Sequence, residues 1–271
     1  MLEINEIIMK KEFEKLRMKN SKMHNRFIKL LDKLNKMYCD DNKGNGNSFS
    51  LLMNEFDVVR WSLHNIDDEE TKKYIFYTFY FSYKLDGNKY HKQFDEFYKY
   101  ISKYSFNKIN GNQKLLFRSM TFEEFELSKI YGNLNPSWSE DISKVHKFAT
   151  IKVLTKECKK SIIISALYKS SDIIFHSEND EEKEYVVKIN SKPISQIQVF
   201  NFHLTYIKKL YNINSDNPFI NPEDINNGYT WIESLKKKGI ILKSDNSLVN
   251  QYCNLIKSRL NNNFNNCINI I

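Results

Sequence analysis

Met23, Phe27, Leu30, Leu31, Leu34 and Met37 recur three and four residues apart, which gathers them on one face of a helix that needs cover. The run Asp40-Asp41-Asn42-Lys43-Gly44-Asn45-Gly46-Asn47-Ser48 breaks that rhythm with polar residues and glycine, and reads as a connection. A helical extension over residues 1–46 is therefore expected. Helical spacing returns over Leu51 to Leu63 and Glu70 to Tyr83, and after a turn at Asp86-Gly87-Asn88 it continues with Phe94, Phe97, Tyr98, Ile101 and Tyr104. Between Tyr74 and Tyr83 nearly every residue is apolar or Tyr, so period alone does not separate helix from buried strand; the helical reading is adopted.

Past Asn110-Gly111-Asn112 the texture changes to short β-like runs: Leu115-Leu116-Phe117, Ser161 to Leu167, Tyr185 to Ile189, and Ile197 to Phe200. Helices are expected between them. Thr121 with Glu124 three residues later forms a capping box for a helix through Ile130, and Asp141 caps one that carries Ile142, Val145, Phe148 and Ala149 inward. Beyond Phe202 the pattern is helical again, with Val249, Cys253, Ile256 and Leu260 on one face before an Asn-rich end. The fold class expected is α+β: a core over residues 47–205, an N-terminal helical extension and a mainly helical segment over 206–271.

Composition sharpens this only a little. A chain of 271 residues that is 41% hydrophobic, with 19 Phe and 16 Tyr, can bury a large core, while 27% charged residues and a mean hydropathy of -0.57 give it a wet surface. The net charge of +8 would suit an acidic partner, but the abundance of Asn, Lys and Ile with only two Ala is a bias expected of AT-rich coding sequence. Cys39, Cys158, Cys253 and Cys267 are too scattered for a disulfide framework and are expected to be free thiols. No signal-peptide core and no membrane-spanning run can be drawn, so a cytoplasmic protein is expected. The six His show no metal-ligand spacing, and no metal site is expected.

Three polar sites stand out in the β-rich middle. Arg118 follows Leu115 to Phe117, which sets its planar fork at a strand end, where it could meet a phosphate or simply form a salt bridge. In Asn135-Pro136-Ser137-Trp138-Ser139-Glu140-Asp141, two hydroxyls on alternate residues project to one side of an extended segment; ordinary loop chemistry has the same composition. Glu182 and Glu184 sit two apart where an acidic turn enters the strand Tyr185-Val186-Val187, and can divide two tasks on one substrate, although such a turn is also a common solvated feature.

In this order the three sites resemble the Arg-Ser-Glu class of mono-ADP-ribosyltransferases, a group of bacterial-toxin-like and phage-like enzymes. Leu116-Phe117-Arg118-Ser119-Met120 is similar to the phrase on the family's first core strand. Ser137-Trp138-Ser139, with Phe148 downstream, resembles its Ser-Thr-Ser motif and the following Phe, and Glu182-Lys183-Glu184 resembles its Glu-x-Glu. The resemblance covers about Leu115 to Val199. Trp138 stands where Thr is usual, Ser119 where Gly is frequent, and Glu140 and Asp141 add charge beside the Ser motif.

The resemblance implies a split β-sandwich core that takes NAD as substrate. Glu184 would stabilise the oxocarbenium-like transition state as nicotinamide leaves the ribose, and Ser137 would orient Glu184. Arg118 would hold the pyrophosphate or ribose, with Ser137, Trp138 and Ser139 also lining the NAD site. Glu182 would orient and deprotonate an acceptor guanidinium, which implies transfer to arginine of a target protein. Two other readings stay open: a non-catalytic binding or inhibitor protein on the same scaffold, and a nucleic-acid-binding protein. Gly44-Asn45-Gly46 lacks the dinucleotide fingerprint, and neither a phosphate-binding Gly-Lys-Ser/Thr loop nor a Gly-x-Ser-x-Gly elbow occurs.

Overall fold

In the computed structural model the residues described are 6–39, 48–86, 100–101, 103–106, 113–131, 137–177, 183–188, 198–211, 213–226, 230–240, 254 and 258. The chain divides into two compact units, residues 1–106 and 107–271.

The first unit is helical: α1 (Glu6–Lys19), α2 (Ser21–Cys39), α3 (Ser48–Asn54), α4 (Phe56–Asn65) and α5 (Glu69–Asp86). The apolar face of α2 buries Phe27, Leu30 and Leu34 as its spacing requires. Phe27 meets Phe13 of α1 and Phe79 of α5 edge to face, at 5.2 and 6.5 Å. The run Tyr74 to Tyr83 is helix, and its buried residues Ile75, Phe76, Phe79 and Tyr80 are three and four apart. A buried carboxylate ties the first helix to the start of the last: Glu12, 3% exposed, accepts from the Asp67 and Asp68 amides at 2.7 and 3.2 Å. Burial opposes its charge, but hydrogen bonds from Lys15 and from these amides outweigh that and hold its carboxyl below the usual value. Helices α3 to α5, which the sequence reading groups with the core, thus belong to one unit with α1 and α2. The expected boundary after residue 46 lies outside the described residues, and the one after 205 falls inside a helix.

The second unit carries the strands. Along the chain come β1 (Gln113–Thr121), α6 (Phe122–Tyr131), β2 (Ser137–Ser139), α7 (Ile142–Leu154), β3 (Lys160–Lys169), β4 (Ile173–His176), β5 (Glu184–Val187), β6 (Gln198–His203), α8 (Leu204–Leu210), α9 (Pro222–Asn226) and α10 (Trp231–Lys237). The strands form one antiparallel sheet in the order β4-β5-β2-β1-β3-β6. Pairing within it is uneven. β1 matches β3 along its whole length, from Gln113 against Lys169 to Thr121 against Ser161, whereas β1 meets β2 through the single pair Phe117 and Ser139. Among the described residues the sheet is therefore two three-stranded halves, β4-β5-β2 and β1-β3-β6, joined at one point.

Alternation along the strands sends side chains into two cores. Phe117 and Ile163 pack with Val145, Ala149 and Val153 of α7 and with Trp231 and Leu235 of α10. On the other side Leu116, Met120, Ile162 and Ile164 pack with Trp138, Tyr168, Tyr185 and Phe125. Asp141 caps α7 as expected, accepting from the Ser143 amide at 2.9 Å, and Ala149 is fully buried. Phe148 is not turned inward: it is 39% exposed, because the buried stripe of α7 runs through Val145, His146, Ala149 and Val153 and leaves position 148 at its margin. The helix expected over Val249 to Leu260 lies outside the described residues apart from isolated positions. Among the described residues no helix is long and apolar enough to cross a membrane.

Candidate functional site

The site is built where the two halves of the sheet meet. Register sets Phe117, Ser139 and Glu184 in one row across β1, β2 and β5, with Ser137 diagonal to Glu184 on the same side. Glu184 opens β5 almost wholly buried, 1% exposed, and its Oε1 accepts a short hydrogen bond from the Ser137 hydroxyl. A carboxylate removed from water depends on such donors, so the hydroxyl fixes both the position and the orientation of the group. Ser139 serves a different end: its hydroxyl accepts from the Asp141 amide at 3.0 Å and shapes the entry into α7.

Arg118 follows Phe117 and takes the alternate side of β1, with Leu116 and Met120. Its guanidinium reaches the edge of β2, where Nη1 donates to the Ser137 carbonyl at 2.7 Å, and Nη2 pairs with Glu124 of α6 at 2.8 Å. Both side chains of that ion pair are 12% exposed. Ser137 is thus gripped from two sides, by its carbonyl through Arg118 and by its hydroxyl through Glu184. The ion pair with Glu124 was not legible as such. Thr121 does accept from the Glu124 amide at 2.9 Å, as a capping box requires, but the carboxylate that would close the box is turned to Arg118 instead.

Trp138 points away from Ser137 and Ser139, as alternation dictates. It is 2% exposed and meets Tyr168 edge to face at 5.1 Å, so its ring is a core element in this structure. Glu140 has partners for its charge, accepting from the Tyr185 hydroxyl at 3.0 Å and from Lys114 at 3.4 Å. The Tyr185 ring in turn stacks on His176 at 3.9 Å. This chain of contacts ties β1, β4 and β5 to the end of β2. It involves a tyrosine and a lysine that carry no signal in the sequence beyond their place in strands.

Glu182 lies outside the described residues; Lys183, between it and Glu184, takes a left-handed backbone with φ of 46°. Cys158 is free and buried, and burial pushes its thiol up to about 11. Among the described residues no three His, Cys, Asp or Glu side chains gather as a metal site would require.

In comparisons with protein-family models, curated proteins and solved structures, none matches the chain.

Proposed function

We propose that residues 113–203 form the split β-sandwich core of an NAD-dependent mono-ADP-ribosyltransferase that modifies a macromolecular target, with protein arginine as acceptor. The observation that carries this reading is the hydrogen bond from the Ser137 hydroxyl to the Glu184 carboxylate, the contact expected of these two residues if Ser137 orients the catalytic acid group. The division of the sheet into two halves joined at Phe117 and Ser139 supports it too, because Ser137 and Glu184 lie beside that junction and Arg118 bonds the Ser137 carbonyl from the other side of the sheet.

The donors present suit a phosphate-bearing substrate. Arg118 Nε is buried and has no hydrogen-bond partner among the described residues, so it is a donor left for a water or an anionic oxygen. NAD, when bound, supplies the ribose–nicotinamide C–N bond, whose cleavage releases nicotinamide and makes ADP-ribose available for a new C–N bond to the acceptor. Glu184 holds a fixed negative charge beside the ribose, where positive charge develops. Arg118 acts first as a positioning residue, anchoring the Ser137 backbone, and offers Nε–H to the ligand. Glu182 takes the proton that the strongly basic guanidinium of the acceptor must lose.

Labelled NAD incubated with the protein and a cell lysate is expected to label protein bands, and Glu184→Gln is expected to abolish the label. Full labelling in that variant would remove Glu184 from the chemistry. NAD binding measured by calorimetry without any turnover would identify a non-catalytic protein on this scaffold.

A further inference from the structure

Away from the strands, the first unit has a feature that the reading above does not use. The buried stripe of α4, formed by Val58, Val59, Ser62 and Leu63, leaves Asp57, Arg60, Trp61, His64 and Asn65 to line an open cavity of about 360 Å³ with Tyr100. Arg60 is held in place by aromatic rings. Its Cζ lies 5.8 Å from the centroids of both Phe56 and Tyr100, and these rings meet edge to face at 5.7 Å. The Tyr100 hydroxyl donates to the Arg60 carbonyl at 3.2 Å and lies 2.7 Å from the Tyr104 hydroxyl, which fixes the ring against the helix.

Among the described residues the charge here is positive on balance. Asp57 is held by Arg26 through two bonds of 2.7 and 2.9 Å, and Arg26 also pairs with Glu55 at 2.8 Å, so one guanidinium answers both carboxylates. Arg60 is exposed and makes no ion pair among the described residues, and the same holds for Lys103, whose ammonium lies 5.8 Å over the Tyr100 ring. At the far end Lys19 donates to the Asn65 carbonyl at 3.3 Å and adds a third cation. Trp61 is partly buried in the lining, unlike Trp138 and Trp231, which are 2% and 5% exposed in the cores.

A bare anion would use Arg60 and leave the indole idle, and an apolar ligand would strip water from an arginine without replacing it. An anion that carries a flat ring uses both: phosphate on the guanidinium fork, ring on the indole face, polar edge toward His64 and Asn65. We propose that this cavity binds a nucleoside phosphate, either free or at the end of a single strand of nucleic acid. The site is built from residues of the first unit alone and stands whether or not the transferase reading does.

The chain contains three tryptophans, and Trp61 is the one open to a ligand, so tryptophan emission reads the site directly. Adenosine monophosphate and a 5′-phosphorylated oligonucleotide are expected to change the emission of the full chain saturably. In Arg60→Ala binding is expected to weaken about tenfold, and Arg60→Lys to lie between. Trp61→Phe should remove the optical signal while calorimetry still records binding, since a smaller ring remains to stack. Tighter binding of the strand names nucleic acid as the source, and equal binding names the free nucleotide. Inorganic phosphate binding as well as the nucleotide, an acidic peptide binding in its place, or an Arg60→Ala variant of unchanged circular dichroism and unchanged affinity would each overturn the proposal.

Discussion

Ser137 and Glu184 stand 47 positions apart in the chain, yet the hydroxyl of the first donates to the buried carboxylate of the second. Antiparallel register places them so, with Ser139 opposite Glu184 and Ser137 one step along on the same side. The contact separates a catalytic role for Glu184 from a structural one. Glu184→Gln keeps size and hydrogen bonding while removing the charge, so the folded protein should persist while NAD turnover falls on the order of 10²- to 10³-fold. Ser137→Ala deprives a buried carboxylate of a donor and should cost about 1–3 kcal/mol of stability as well as activity. Urea unfolding beside a nicotinamide-release assay reads both; loss of stability without loss of turnover in Ser137→Ala would restrict Ser137 to the fold.

In the transferase reading proposed above, Glu182 separates transfer to arginine from NAD cleavage. Because water needs no deprotonated guanidinium, Glu182→Gln is expected to abolish labelling of protein and of a small guanidine acceptor while NAD hydrolysis continues. Parallel loss of both activities would instead make Glu182 part of the NAD site.

Arg118 and Glu124 form a largely buried ion pair, and each leaves the other uncompensated when removed. Arg118→Met and Glu124→Leu are each expected to destabilise the protein by about 2–3 kcal/mol, and the double variant by clearly less than the sum. Strict additivity in the denaturant midpoints would show that the two side chains act independently.

His146 sets a pH dependence. It is 1% exposed within α7, with the Tyr211 hydroxyl 3.4 Å from Nδ1, and burial pushes its pKa down from 6.5 to about 4. The unfolded chain therefore binds this proton more readily than the folded one. Its effect on stability is absent above pH 6.5 and grows as the pH falls toward 4, to a loss of about 3 kcal/mol. Unfolding midpoints between pH 7 and pH 4 should fall in the native protein and flatten across that window in His146→Gln; an equal slope in both would place the titrating group elsewhere.

Much of the framework was legible because burial follows period. Phe27, Leu30 and Leu34 mark α2, the unbroken apolar run Ile162 to Ile164 marks β3, and Asp141 caps α7 as its position implies. The ambiguous run Tyr74 to Tyr83 is helix because its neighbours in space are other helices, which no local pattern states. Phe148 was misplaced for a related reason: helical spacing says which residues share a face, but the width of the buried stripe is set by what packs against it. In the site, the pairing of Ser137 with Glu184 follows from strand register across a long separation. The partnership of Arg118 with Glu124 was hidden by a second, equally good local reading of Glu124 as a cap.

The single pair joining β1 to β2 gives the strand an unequal pair of margins. In an antiparallel strand successive amides point alternately to the two neighbours. Those of β1 that face β3 lie in a complete ladder, while those that face β2 are paired, among the described residues, only around Phe117 and Ser139. Deuterium uptake along residues 113–121 should therefore be toothed, slow and fast by turns, in a strand that is central by position and an edge by chemistry.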